Sequence, residues 1–108
     1  MKSNEKSLRL KIKHADNYWA RLRGLLFYKN PIKEEGLLIT PCNSVHMLFM
    51  RFAIDVVFLD QSNTVVKVVP NLKPWRIVLP VITAHAALEL PTGTIKNREI
   101  CEGDKILI

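Results

Sequence analysis

Four side chains capable of chemistry fall within one apolar stretch: the thiol of Cys42, the imidazole of His46, the guanidinium of Arg51 and the carboxylate of Asp55. Their neighbours are mostly Val, Met, Leu, Phe and Ile. Polar and charged groups in such company are costly to bury unless they are paired. Three chemistries compete for them. Cys42 and His46 could form a thiolate–imidazole pair for nucleophilic catalysis. The same two residues with Met47 and Met50 could hold a soft metal such as Cu(I). Arg51 could offer its planar fork of N–H donors to a carboxylate or phosphate, or to Asp55 itself.

Each has a plainer reading. No third group to orient the Cys42–His46 pair is evident from the spacing, and the pair lies where a loop enters a strand. A structural zinc site needs four ligands, and the distant candidates are His85 and Cys101. Met47 and Met50 suit the filling of a core. No metal and no cofactor is therefore expected. Ser44 lacks the G-x-S-x-G context of a hydrolase elbow. For Asp55 the favoured reading is structural, with either Arg51 or backbone N–H groups at the start of a hairpin as its partner. Removing one partner of a buried ion pair typically costs ~3–5 kcal/mol.

A second group lies further on. Lys73-Pro74-Trp75-Arg76 sets an aromatic between two cations after a turn. Exposed, Trp75 would stack on a ring or floor a site, with Arg76 beside it. The favoured alternative packs Trp75 in the core and leaves Lys73 and Arg76 in water. Glu89, within Ala87-Leu88-Glu89-Leu90, is another acid in an apolar strand, and it could answer Arg21 or Arg23. Glu102-Gly103-Asp104 reads as a turn. Gly103 allows positive φ, and Asp104 can accept from nearby backbone N–H groups.

The elements that must position these residues are mostly strands. Leu8–Lys13 alternates apolar and basic residues, the period of a half-buried strand. Asp16 or Asn17 can cap a short helix over 17–24, with Gly24 as its terminator. Gly36–Thr40 and Val45–Met50 are strand-length apolar runs. Ile54–Leu59 and Thr64–Val69 flank Asp60-Gln61-Ser62-Asn63 and form the clearest hairpin, expected at the centre of the sheet. Pro70 and Pro74 break the pattern. Trp75–Leu79, His85–Leu90 and Ile106–Ile108 are further strands, and 91–99 reads as a turn with a short helix. The class is α+β, mainly β: an antiparallel sheet or partly closed barrel with one or two short helices.

With 108 residues, 48% of them hydrophobic, the chain has room for one domain and one core. Residues 1–7 read as an N-terminal extension. The opening Met1–Lys6 has no apolar h-region, and no run approaches the ~18 apolar residues of a membrane span. A cytoplasmic location with two reduced cysteines is the resulting expectation. The net charge is +6. It is uneven: residues 1–33 carry nine Lys/Arg against Glu5 and Asp16. A basic face attracts anions. No RNP, zinc-finger or helix-turn-helix signature supports a nucleic-acid partner beyond that charge.

Five motifs occur in order: Arg21-Leu22-Arg23-Gly24-Leu25-Leu26, His46-Met47, Ile54-Asp55-Val56-Val57-Phe58-Leu59-Asp60, Leu88-Glu89-Leu90-Pro91-Thr92-Gly93 and Glu102-Gly103-Asp104. From about residue 8 to its end the chain resembles the DUF192 (UPF0127) family of small single domains. The resemblance implies a fold and carries no assigned activity, substrate or cofactor. One departure stands out. A common family form reads Phe-Trp-Met-Lys-Asn-Thr where this chain has Val45-His46-Met47-Leu48-Phe49-Met50. A polar role of that Asn cannot pass to Phe49, and Arg51 could compensate.

Together these readings favour a non-catalytic module that binds a small anionic ligand or a protein partner. Its candidate site is His46, Arg51, Asp55, Trp75 and Arg76. His46 would make binding pH-dependent near its unperturbed pKa of ~6.5. The alternative is a hydrolase-like enzyme using His46, Arg51 and Asp55, with Cys42 as a further participant. A nucleic-acid adaptor acting through the basic N-terminal third comes after both.

Overall fold

The computed structural model describes residues 5–7, 11–15, 35–40, 45–46 and 52–107, with side chains described for 36–40 and 52–107. The architecture is α+β and mainly antiparallel, built on an open five-stranded sheet. In chain order the strands are β1 (Glu5–Ser7), β2 (Lys11–Ala15), β3 (Glu35–Ile39), β4 (Val45–His46), β5 (Ile54–Leu59), β6 (Val65–Leu72), β7 (Ile77–Val78), β8 (Ala86–Pro91) and β9 (Lys105–Leu107). One short helix, α1 (Thr94–Asn97), lies between β8 and β9. The expected helix over 17–24 falls outside the described residues.

The main sheet runs β2-β3-β8-β5-β6. All its pairings are antiparallel except β2 with β3. The β5–β6 hairpin therefore occupies one end, and β8 holds the centre that sequence pattern assigned to the hairpin. Two ribbons complete the fold, β4 with β7 and β1 with β9. Residues 5–7 pair as a strand with residues 105–107.

All six residues of β5 are buried. That explains a strand almost without polar positions, since both faces of the sheet are covered. Val57 and Leu59 point to one face with Leu38, Leu88, Leu90 and Ile106. Ile54, Val56 and Phe58 point to the other with Leu72, Val78 and Ala87. Val78 of the β4–β7 ribbon covers this second face.

The turns follow their residues. Asp60 carries the hairpin: its Oδ1 accepts the N–H groups of Ser62 at 2.8 Å and Thr64 at 3.0 Å. Asn63 closes the loop at φ 62, a left-handed conformation that Asn tolerates. At the end of α1, the Ile100 N–H donates to Ile95 O and the Glu99 N–H to Lys96 O. This is the Schellman arrangement, with Glu99 at φ 53 where glycine is usual. Gly103 takes φ 93 in the turn before β9, and the Cys101 N–H donates to Asp104 Oδ2 at 2.8 Å. Both features match the expectation for Glu102-Gly103-Asp104.

β6 runs past Pro70 to Leu72. A proline without an N–H is tolerated on an outer strand. The register slips here: Ile54 faces Leu72, but Val56 faces Val69, so β6 carries an extra residue. Asn71 absorbs it at φ 51.

Candidate functional site

Asp55 points to the Leu59 face of the sheet and is 1% exposed. Its carboxylate is satisfied by main chain. The Asn71 N–H, turned inward by the bulge, donates to Oδ1 at 2.8 Å. The N–H groups of Gly93 and Ile95 donate to Oδ2 at 3.1 and 2.9 Å. Gly93 precedes α1 at φ 95. One side chain thus joins β5, the bulge of β6 and the first turn of α1. Its two oxygens accept all three bonds and need no side-chain partner. Buried and fully engaged, Asp55 acts as a structural clamp. Backbone capping was one of the two partners expected for it. Arg51, the other, lies outside the described residues.

Glu89 has the opposite environment. It sits opposite Val56 on β5 and Leu37 on β3, on the sheet face that carries Phe58. It is 4% exposed, and among the described residues nothing bonds its Oε2. Burial pushes its pKa up to about 8. At neutral pH it is therefore a protonated, uncharged acid. Arg21 and Arg23, its expected partners, lie outside the described residues. Glu89 did not figure among the candidate site residues. An acid amid Ala87, Leu88 and Leu90 is the sequence signal for it, and that signal also fits a buried ion pair.

Trp75 lies in a turn. The Arg76 N–H donates to Lys73 O at 3.3 Å, closing Lys73-Pro74-Trp75-Arg76. Pro74 cannot take positive φ, and Trp75 has φ 68, so the turn is type II. Glycine or asparagine normally fills that third position. A bulky residue there is strained, by about 1–3 kcal/mol. The ring is not buried in return: Trp75 is 60% exposed, with Lys73 and Arg76 exposed beside it. The favoured expectation that Trp75 packs in the core is overturned. A positive-φ turn aims the side chain outward, whereas a strand position would have allowed it to face in.

The candidate residues thus separate. Trp75 and Arg76 share one exposed turn. His46 pairs in register with Ile77, so the β4 backbone runs beside the strand that follows Trp75. The His46 side chain, Arg51 and Cys42 lie outside what is described. Asp55 belongs elsewhere, beneath α1. Cys101 is a free, exposed thiol whose Sγ lies 3.6 Å from Glu99 O. Among the described residues there is no group of three His, Cys, Asp or Glu placed to hold a metal, and no helix long and apolar enough to cross a membrane.

The fold, the Asp55 clamp and the Gly103 turn define a small open-sheet domain with a known sequence signature. The DUF192 family model, described as "Uncharacterized ACR", matches residues 1–108, and the chain belongs to that family. A UPF0127 protein of Pyrococcus furiosus is 37% identical over 106 residues, spanning 94% of this chain and 89% of the relative. A UPF0127 protein of Thermococcus kodakarensis is 38% identical over 101 residues, spanning 89% of this chain but 63% of the relative. This chain therefore matches less than two thirds of that protein. A crystal structure from Sinorhizobium meliloti, named as a candidate transcription regulator, superposes with TM-score 0.78 at 21% identity. It covers 89% of this chain and 79% of the other, and the likeness speaks for the fold alone.

Proposed function

We propose that this chain is a non-catalytic binding module whose contact surface is the turn Lys73-Pro74-Trp75-Arg76. The observation that carries this reading is Trp75: a large aromatic held at φ 68 and left 60% exposed between two exposed cations. Strain at a surface position with no gain in burial is a recognised mark of a working surface. The chemistry offered is that of an anion site. Arg76 supplies a planar fork for a carboxylate or phosphate, Lys73 a second positive charge, and Trp75 an apolar face. His46, whose β4 backbone pairs with Ile77, and Arg51 remain candidate contributors. The enzyme reading would need Asp55 for chemistry, and that carboxylate is engaged by three backbone N–H groups.

The test is a fluorescence titration with small phosphates and carboxylates. Arg76→Ala is expected to weaken binding about tenfold, the scale of one charge-assisted hydrogen bond. Trp75→Gly suits the turn and is expected to hold stability within about 1 kcal/mol while abolishing the contact. His46→Ala and Arg51→Ala report whether these two side chains contribute. Binding that survives both the Arg76 and Trp75 substitutions would place the site elsewhere. Binding that vanishes at ~0.5 M salt yet ignores all four would mean only diffuse attraction to a basic chain.

A further inference from the structure

We infer that the segment from Lys73 to Ile82 is an attachment surface for an anionic lipid bilayer. This deepens the binding reading above and rests on it. Around β7 the side chains alternate. Val78 is buried against Phe58 and its neighbours, while Ile77 and Leu79 point outward, 64% and 77% exposed. Trp75, in the turn that precedes β7, is also 60% exposed. The chain then turns, with the Ala84 N–H donating to Val81 O at 2.9 Å, and Ile82 stands in that turn 94% exposed. Four large apolar side chains within eight residues thus face water. Single exposed hydrophobics are ordinary, but a contiguous group of them marks an interaction surface.

The charges within this segment, Lys73 and Arg76, have one sign. From Gln61 to Leu88 the chain contains no Asp or Glu, and it carries Lys67, Lys73 and Arg76. All three cations are exposed, as is His85. A net charge of +6 adds longer-range attraction to a negative surface. Apolar side chains beside Lys and Arg, with a Trp between them, are the composition of a bilayer-interface anchor. The Trp ring and the cations sit at headgroup level while Ile and Leu reach the acyl boundary. A fluid interface accepts side chains projecting from a strand face and a turn without a matching pocket. A second copy of this chain would bring like charges together.

Vesicle sedimentation tests the assignment, with phosphatidylcholine alone and mixed with phosphatidylglycerol. The wild-type chain should bind the mixed vesicles, and about tenfold or more weakly the neutral ones. Lys73→Ala with Arg76→Ala should reduce binding to the mixed vesicles, and so should Leu79→Ser with Ile82→Ser, each by about tenfold or more. These are exposed positions, so Tm should hold. In unsubstituted protein, brominated lipid should quench tryptophan emission, and Trp75→Phe should remove that quenching. Binding that responds to the charges but not to Leu79 and Ile82 would overturn the inference in favour of diffuse attraction. Absent vesicle binding, with small-anion titration intact, would overturn it and leave the anion site standing. If both fail, both readings fall. A dimer in sedimentation equilibrium that Leu79→Ser dissolves would assign the strip to a second copy instead.

Discussion

Asp55 and Glu89 are the same functional group in adjacent strands, one register position apart, on opposite faces of the sheet. Both are almost completely buried. Asp55 receives three backbone N–H groups, whereas among the described residues nothing meets Glu89 Oε2. Burial alone therefore does not decide what a carboxyl group does in a protein. The supply of donors does. On the Asp55 side, the bulge at Asn71 and the start of α1 turn free main-chain N–H groups inward. On the Glu89 side, the flanking strands offer Val56 and Leu37, whose main chains are engaged in the ladder.

The largest effect should come from Glu89. Its pKa rises from 4.5 to about 8 on folding. Between those values the folded chain holds a proton that the unfolded chain has released. Stability from this group is therefore greatest at pH below 4.5 and falls as pH rises toward 8. The full displacement corresponds to roughly 5 kcal/mol. Denaturant unfolding across that range should show the decline in the wild-type chain and its absence in Glu89→Gln. Parallel profiles for the two proteins would mean that Glu89 has found a donor, and the contrast with Asp55 would collapse.

Asp55→Ala comes next, with an expected loss of about 3–5 kcal/mol from three orphaned buried N–H groups. Asp55→Asn retains one acceptor oxygen and should lose less. A loss under ~0.5 kcal/mol for the alanine variant, the range of an ordinary surface site, would show that the clamp contributes nothing.

Asp60 sharpens the comparison because it has the bonds without the full burial. Its Oδ1 accepts two backbone N–H groups in a half-buried turn. Asp60→Ala should cost about 1 kcal/mol, as loss of a capping residue does. A cost equal to that of Asp55→Ala would mean that bonding alone, without desolvation, sets the scale.

Much of this fold was legible locally. Ile54–Leu59 carries its strand in six residues bounded by a polar turn, and Asp55 stood out because nothing else in that strand is polar. Gly103 and Asp104 announce their turn by residue type. Strand order was not legible, because a period-two pattern says which residues share a face and nothing about which strand lies alongside. That is why the hairpin was expected at the centre and β8 was not. Pro70 was read as a break because an isolated segment shows neither an outer-strand position nor a bulge at Asn71. Trp75 misled for a related reason. Pro74 signals a turn, but the residue after it is not the glycine that a type II turn prefers, so a buried strand position was the natural reading. The fate of Glu89 depends on donors that its neighbours among the described residues lack, which no local pattern contains.

The central place of β8 has a consequence for how the chain is made. Synthesis proceeds from the N-terminus, so β3 and the β5–β6 hairpin emerge well before residues 86–91. Those two pieces do not pair with each other; each waits for β8 to bridge them. Until then both present open, apolar strand edges, the kind that recruit other chains. The β1–β9 ribbon is later still, since its two strands lie at opposite ends of the sequence. A nascent chain stalled before residue 86 would hold the β2–β3 and β5–β6 pairs but lack the strand that joins them. Joining of the two halves of the sheet is in that sense a late event, and a slow one because the pairings of β8 are long-range.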